Sequence, residues 1–138
     1  MRIPGGTPVD IEPCKDFWDG LDRLAALHPV VIDRSRHTRH PRFPALIYPV
    51  DYGYLEGTAS AADGEGLDVW RGGAPQQTVC AAICTVDLLK GDAEVKLLIG
   101  CTEAEILAVE AFHNQTGYQK GLLLRRGKLY PCDPPDGK

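Results

Sequence analysis

The sequence predicts a mainly β domain, a small closed β-barrel with flanking helices. Short apolar segments rich in β-branched residues alternate with glycine turns. Helical periodicity is confined to two segments, which lie near the two ends of this series of predicted strands. A chain of 138 residues with 43% hydrophobic and 25% charged residues is typical of one globular domain. We expect a single domain over 1–138, with an irregular arm at 1–13 and a flexible tail at 128–138.

The first helix is expected to begin at Asp10 or Pro13 and to end at His28-Pro29, because the residue before a proline disfavours helix. The second is expected over 103–113, where Thr102 begins a sequence typical of a capping box. The apolar runs between and after them predict strands at 30–32, 46–48, 52–54, 67–70, 77–86, 94–100 and 122–124.

Charge, hydropathy and cysteine usage exclude several classes of protein. A net charge of −4 argues against a general nucleic-acid binder. No apolar run reaches the roughly 20 residues that span a bilayer, and 1–6 lack the apolar stretch of a secretion signal. The five cysteines are odd in number and contain no Cys-x-x-Cys pair, so we expect a cytoplasmic protein with structural thiols. Cys80 and Cys84 are expected to face the same side of one strand.

A cluster of carboxylates is the strongest chemical signal. Carboxylates this close raise one another's pKa unless cations neutralise them, and Mg²⁺ with oxygen ligands is the usual solution. Asp63 and Glu65 are spaced to face one ion, with Asp68 returning from the next strand. The alternative is a solvated acidic loop. Eighteen residues contain all five acidic groups: Asp51, Glu56, Asp63, Glu65 and Asp68.

Tyr52 and Tyr54 flank Gly53, so both are expected on one side of a strand. Neutral phenols are good donors to phosphate oxygens, and core packing is the alternative role. The run from Tyr48, Tyr-Pro-Val-Asp-Tyr-Gly-Tyr, precedes Asp-Gly-Glu-Gly-Leu-Asp from Asp63. Together these two runs resemble the signature of the family I soluble inorganic pyrophosphatases, Tyr-Pro-x-Asn-Tyr-Gly-Tyr followed by Asp-x-Asp-Pro-x-Asp.

The resemblance implies an OB-like barrel of the inorganic pyrophosphatase type that uses Mg²⁺, with Mn²⁺ as a possible substitute, to hydrolyse pyrophosphate. It implies that Asp63, Glu65 and Asp68 bind metal and that Glu65 accepts the proton of the attacking water. Glu65 replaces an aspartate of the family pattern and is one methylene longer. Gly66 replaces its proline, and Asp51 its asparagine.

A second acidic segment resembles the family's Asp-x4-Asp-x-Lys pattern. Asp87 and Asp92 have the spacing of its two aspartates, but Lys96 follows Asp92 by four residues rather than two. Alignment on Lys96 instead places Glu94 in the second acidic position. We expect Asp92 to bind metal and Lys96 to bind phosphate, with Asp87 and Glu94 as alternative ligands. The other interpretation is a charged hairpin turn.

The basic segment 34–42 is the natural electrostatic partner of a pyrophosphate, because arginine forks match phosphate oxygens. Arg42-Phe43 resembles the family's Arg-Phe pair, so Arg42 is expected to bind substrate together with Tyr52 and Lys96. An RNA-contacting loop is the rival interpretation. The late Tyr-Lys pair of the family has no match, because Tyr118 and Lys120 are spaced differently.

These observations favour Mg²⁺-dependent hydrolysis of pyrophosphate. The first alternative is a non-catalytic or re-purposed barrel that binds a metal and another phosphorylated ligand, and the second is an RNA-binding barrel. The expected partner is pyrophosphate or another small phosphorylated ligand, without membrane and without nucleic acid. Because family members commonly form oligomers, the resemblance also implies a homo-oligomer.

Overall fold

The computed structural model describes residues 13–59 and 66–127, which form one six-stranded sheet and two helices. Both predicted helices and the main predicted strands are present, whereas residues 46–48 form only an isolated bridge, between Arg39 and Ile47. The elements are α1 (Pro13–Leu27), β1 (Val30–Arg34), β2 (Asp51–Leu55), β3 (Leu67–Arg71), β4 (Val79–Asp87), β5 (Asp92–Ile99), α2 (Glu103–Phe112) and β6 (Gln119–Arg125).

The sheet is mixed and open. Its strand order is β1-β2-β3-β5-β4-β6, and β3 and β5 are parallel while the other neighbours are antiparallel. Within residues 13–59 and 66–127, no ladder joins the edge strands β1 and β6. The prediction of a mainly β fold with flanking helices is therefore confirmed. The closed barrel is not, because the described strands end in two free edges.

Strand alternation divides the core between the two faces of the sheet. In β3, Trp70 belongs to a cluster that includes Val109 and Phe112 of α2, whereas its neighbour Val69 packs with Trp18 of α1. Successive side chains of a strand point to opposite faces, so each helix covers one face. The face that carries α2 also carries the candidate site.

The capping box of α2 is confirmed. The Thr102 hydroxyl accepts the backbone N–H of Glu105 at 3.2 Å, and the Glu105 carboxylate accepts the N–H of Thr102 at 2.8 Å. The helix ends at Phe112, and His113 is its C-cap residue. This placement directs the His113 ring back toward the sheet, where it meets Trp70.

Gly53 separates the two tyrosines of β2 for a steric reason. A Cβ at Gly53 would overlap the carbonyl oxygen of Val31 and lie 2.8 Å from the Cα of Ile32, both in the backbone of β1. Only glycine permits this close approach of the two strands. The glycine of the Tyr-Gly-Tyr run is therefore required by the pairing of β2 with β1, whatever the chemistry of the two tyrosines.

The expectation that Cys80 and Cys84 share a face is wrong. The register between β4 and β5 shifts between Val79 and Ala81, which marks a β-bulge at Cys80. Cys80 packs against the α2-side cluster, while Ala82 packs on the α1 side. Cys84 alternates in step with Ala82, so the bulge places the two thiols on opposite faces.

Candidate phosphate-binding cleft

A cleft of about 450 Å³ opens on the α2 face of the sheet. It lies between the basic segment after β1, the β4–β5 hairpin and the segment after α2. Of the predicted site residues, Arg42, Tyr52, Asp92 and Lys96 line it. The other lining side chains of ionisable or aromatic character are Arg34, His40, Phe43, Tyr48, Asp87, Lys90, Glu94, Phe112, His113 and Tyr118.

Lys96 is the centre of a polar network at the base of the cleft. Its Nζ lies 2.6 Å from Oδ2 of Asp68 and 2.8 Å from Oε1 of Glu94. It also donates to the Tyr52 hydroxyl at 2.8 Å, and that hydroxyl donates to Oδ2 of Asp68 at 2.7 Å. Four side chains from β2, β3 and β5 thus satisfy one another with charge-assisted hydrogen bonds.

The network determines the protonation of its members. Burial works against charge on Lys96, but the carboxylates of Asp68 and Glu94 outweigh it and raise the pKa of the ammonium above its ordinary value. Burial also raises the pKa of the Tyr52 phenol. At neutral pH the site therefore contains a charged Lys96 beside a neutral Tyr52, which agrees with the direction of their hydrogen bond.

Asp92, Glu94 and Lys96 alternate along β5 and all line the cleft. Asp92 lies 3.3 Å from Nζ of Lys90, and Glu94 pairs with Lys96. The structure thus places both Asp92 and the alternative residue Glu94 at the cleft, and their predicted metal binding stays a prediction.

Asp87 has a different set of partners. Its Oδ1 accepts the backbone N–H groups of Leu89 at 2.9 Å and of Lys90 at 3.0 Å. These bonds stabilise the turn between β4 and β5, as the hairpin interpretation of this segment requires. Asp87 is buried and lines the cleft, but half of its carboxylate is occupied by the turn.

Cations gather at the opposite side of the cleft. Burial lowers the pKa of His40, and the charges of Arg34, Arg42 and Lys90 lower it further. His40 Nδ1 accepts the backbone N–H of Arg42 at 3.1 Å, so the imidazole holds the loop that presents the guanidinium. Arg42 itself is exposed and lies over the Phe43 ring, with 5.9 Å from the guanidinium carbon to the ring centroid.

A chain of hydrogen-bonded polar side chains that the sequence does not predict borders the cleft. Trp70 Nε1 donates to Nε2 of His113 at 3.1 Å, and His113 Nδ1 lies 3.0 Å from Oε1 of Gln119. Gln119 in turn donates to Oδ2 of Asp87 at 3.2 Å. Burial lowers the pKa of His113 to about 4, so its imidazole is neutral. No local pattern distinguishes these residues, because α2 and β6 bring them together only in the fold.

The donor chemistry of the site is consistent with a hard cation, but the described residues do not complete a metal centre. In the described ranges, no group of three or more His, Cys, Asp or Glu side chains is arranged to hold an ion. The carboxylate of Asp68 is already paired with Lys96. Asp68 does not itself line the cleft, but it contacts Lys96, which does. Asp63 and Glu65 lie outside the described residues, so their predicted roles stay predictions.

The fold is that of the inorganic pyrophosphatases. An inorganic pyrophosphatase from Neisseria gonorrhoeae superimposes with a TM-score of 0.54 at 17% identity, over 70% of this chain and 81% of that chain. Similarity is also found to the Thermus thermophilus enzyme (TM-score 0.46, 19% identity, 70% and 81% covered) and the Helicobacter pylori enzyme (0.47, 12%, 70% and 83%). No family model and no curated protein matches the chain.

No helix in the part of the chain that the structure describes is both long and apolar enough to cross a membrane. The expected compartment, self-association and partners stay predictions.

Proposed function

We propose that this protein hydrolyses the phosphoanhydride bond of inorganic pyrophosphate with the help of Mg²⁺. The observation that carries the proposal is the meeting of Lys96, Tyr52 and Asp68 beside a cleft that Arg42 also lines. These residues come from three strands and one loop. Their assembly in a fold shared with pyrophosphatases is what the resemblance in the sequence implies.

The cations that line the cleft are the proposed partners of the substrate's phosphate oxygens. Arg42 offers an exposed guanidinium that can bind two phosphate oxygens, and Lys90 adds a second exposed cation. Lys96 is held in place by its carboxylate partners, so it presents a fixed charge to the base of the cleft. Catalysis of phosphoryl transfer depends mainly on such positioning and charge stabilisation.

In the reaction, the oxygen of one water bonds to a phosphorus atom and the bridging P–O bond breaks, which releases two phosphates. Glu65 is the proposed acceptor of the proton that the water loses. Asp63, Glu65, Asp68 and Asp92 are the proposed metal ligands, and Mg²⁺ would supply positive charge that offsets the phosphate oxygens. Because Oδ2 of Asp68 is bonded to Lys96, Asp68 can bind Mg²⁺ only if this ion pair breaks or if the other carboxylate oxygen binds the metal.

The test is phosphate release from pyrophosphate in Mg²⁺, in Mn²⁺ and in EDTA, with the wild type and the Asp68→Asn variant. We expect metal-dependent release that falls by at least 100-fold in the variant. Asp51→Asn is the matched control, because Asp51 accepts the backbone N–H of Arg36 away from the cleft lining. Unchanged release from Asp68→Asn would overturn the mechanism.

The second candidate is a protein that binds a phosphorylated ligand without hydrolysis. It is favoured by one observation: Lys96 and Tyr52 both bond to Oδ2 of Asp68, so one oxygen of this proposed metal ligand is already occupied. This candidate predicts no phosphate release in any metal, together with calorimetric binding of pyrophosphate that Arg42→Ala weakens.

A further inference from the structure

One wall of the cleft is apolar and partly exposed, which an inorganic ligand does not require. Phe43 and Tyr118 lie with ring centroids 5.6 Å apart, and Leu89 lines the same cleft although the residue is 64% exposed. Phe43 and Tyr118 are each only half-buried. The three side chains, called here the apolar wall, line the cleft from three separate segments. The fold brings these segments together, since the backbone N–H of Leu88 donates to the Tyr118 carbonyl at 2.8 Å and the Tyr118 ring contacts Phe43.

The apolar wall adjoins the cations of the cleft. Arg42 lies over Phe43, and the rings of Phe43 and His40 have centroids 5.3 Å apart. The charges of Arg34, Arg42 and Lys90 all act on His40. The cleft therefore has a basic part, whose base holds Lys96 against the Tyr52 ring, and a second part formed by the apolar wall, with Arg42 at their boundary.

The size of the cleft also favours an organic ligand over an inorganic one. Cavities of roughly 300–1,000 Å³ enclose organic ligands of moderate size, and this cleft has about 450 Å³. An ion made of two phosphates would occupy the basic part and leave the apolar wall in water. A phosphoanhydride joined to a planar organic group would occupy both parts.

We propose that the preferred ligand of the cleft is a nucleoside diphosphate, with its phosphates at Arg42, Lys90 and Lys96 and its base against the apolar wall. The proposal rests on the phosphate binding of the proposed function. Hydrolysis would proceed as proposed for pyrophosphate. The oxygen of a water bonds to the terminal phosphorus and the bridging P–O bond breaks. The products are phosphate, a nucleoside monophosphate and the proton that the water loses. Stacking on an aromatic side chain strengthens binding by about fivefold to 150-fold per base.

The test compares two neighbouring leucines. Leu89 lines the cleft and Leu88 does not, yet both are highly exposed, at 64% and 72%, so neither substitution threatens folding. Calorimetry in Mg²⁺ measures the Kd of the non-hydrolysable α,β-methylene analogue of ADP and of methylenediphosphonate, its inorganic counterpart. The proteins are the wild type, Leu89→Ser, Leu88→Ser and Phe43→Ala.

We expect the wild type to bind the ADP analogue at least tenfold more tightly than methylenediphosphonate. Leu89→Ser is expected to weaken the ADP analogue about threefold and Phe43→Ala about tenfold, with methylenediphosphonate changed less than twofold. Leu88→Ser is expected to bind both as the wild type does. Equal affinity of the wild type for the two ligands, or equal weakening of both by Leu89→Ser, would overturn the proposal.

Phosphate release separates this proposal from the proposed function. Release from pyrophosphate without preferential binding of the ADP analogue overturns the nucleotide proposal and leaves the hydrolase intact. Preferential, Leu89-dependent binding of the analogue without release from pyrophosphate or ADP supports the ligand class and overturns hydrolysis.

Discussion

The Nζ atom of Lys96 lies 2.6 Å from Oδ2 of Asp68, and this ion pair connects β5 to its parallel neighbour β3. The register pairs Val69 with Leu97, so the two preceding residues lie side by side on one face of the sheet. Lys96 is almost wholly buried, with 6% of its side chain exposed. The pair thus joins two strands and holds the charge of Lys96 in place at the cleft.

Replacement of Lys96 by methionine is expected to lower the free energy of unfolding by about 3 kcal/mol, because it leaves a buried carboxylate without its cation. Glu94, whose side chain is 8% exposed, is the residue left unpaired. Urea unfolding at pH 7 measures the change. Lys90→Met is the control, since its pair with Asp92 is solvated, and it should cost less than about 1 kcal/mol.

Addition of Glu94→Gln to the Lys96→Met variant should recover part of the lost stability, because the second change removes the uncompensated charge. A Lys96→Met variant as stable as the wild type would contradict the account of the network.

Replacement of Arg42 by alanine is expected to raise the KM for pyrophosphate by about tenfold to 100-fold, which corresponds to the loss of hydrogen bonds to a charged group. Arg42 is exposed, so unfolding by urea should change little. Arg42→Lys retains the charge without the planar guanidinium, so its KM for pyrophosphate should lie between those of the wild type and Arg42→Ala. Arg23→Ala on α1, outside the cleft lining, is the control. An Arg42→Ala enzyme with wild-type KM would exclude Arg42 from substrate binding.

The stability of the fold should depend on pH through His113. Burial lowers its pKa to about 4 from an ordinary value of 6.5. Between these values the unfolded chain binds more protons than the folded one, so stability is full above pH 6.5 and falls as pH drops toward 4. The loss attributable to this group is about 3 kcal/mol.

The measurement is the free energy of unfolding in urea from pH 7 to pH 4. His113→Gln should be less stable at pH 7 but should show a smaller further loss on acidification. Identical slopes for wild type and His113→Gln would contradict the prediction.

Replacement of Gly53 by alanine is expected to lower the free energy of unfolding by more than about 2 kcal/mol, since the new Cβ overlaps the β1 backbone and must displace it. Gly20→Ala is the matched control. A Cβ at Gly20 meets nothing within 4 Å, and a helical glycine-to-alanine change stabilises by about 1 kcal/mol. Thermal unfolding should shift in opposite directions for the two variants. A neutral Gly53→Ala would mean that β1 is free to move.

The helices and the main strands could be predicted from the sequence because the patterns that specify them lie within a few residues of one another. The capping box at Thr102 and Glu105, the proline after His28 and the apolar runs of β4 and β5 each act within a few residues. The sequence also indicated that Arg42, Tyr52, Lys96 and Asp92 belong to one site, and the fold brings all four to one cleft. Its weakest inference on the described residues was barrel closure, since closure depends on pairing between distant edge strands.

The sequence by itself determined which residue types and periods are present, and therefore the helices, the strands and the inventory of charges. Only the tertiary structure decided which charges meet. It paired Asp68 with Lys96, and it enclosed His113 and Gln119 beside Asp87. It placed Cys80 and Cys84 on opposite faces through one bulge, and joined Phe43 to Tyr118 in one wall. The physical reason is that register, strand order and desolvation are set by packing between distant segments, which no local pattern encodes.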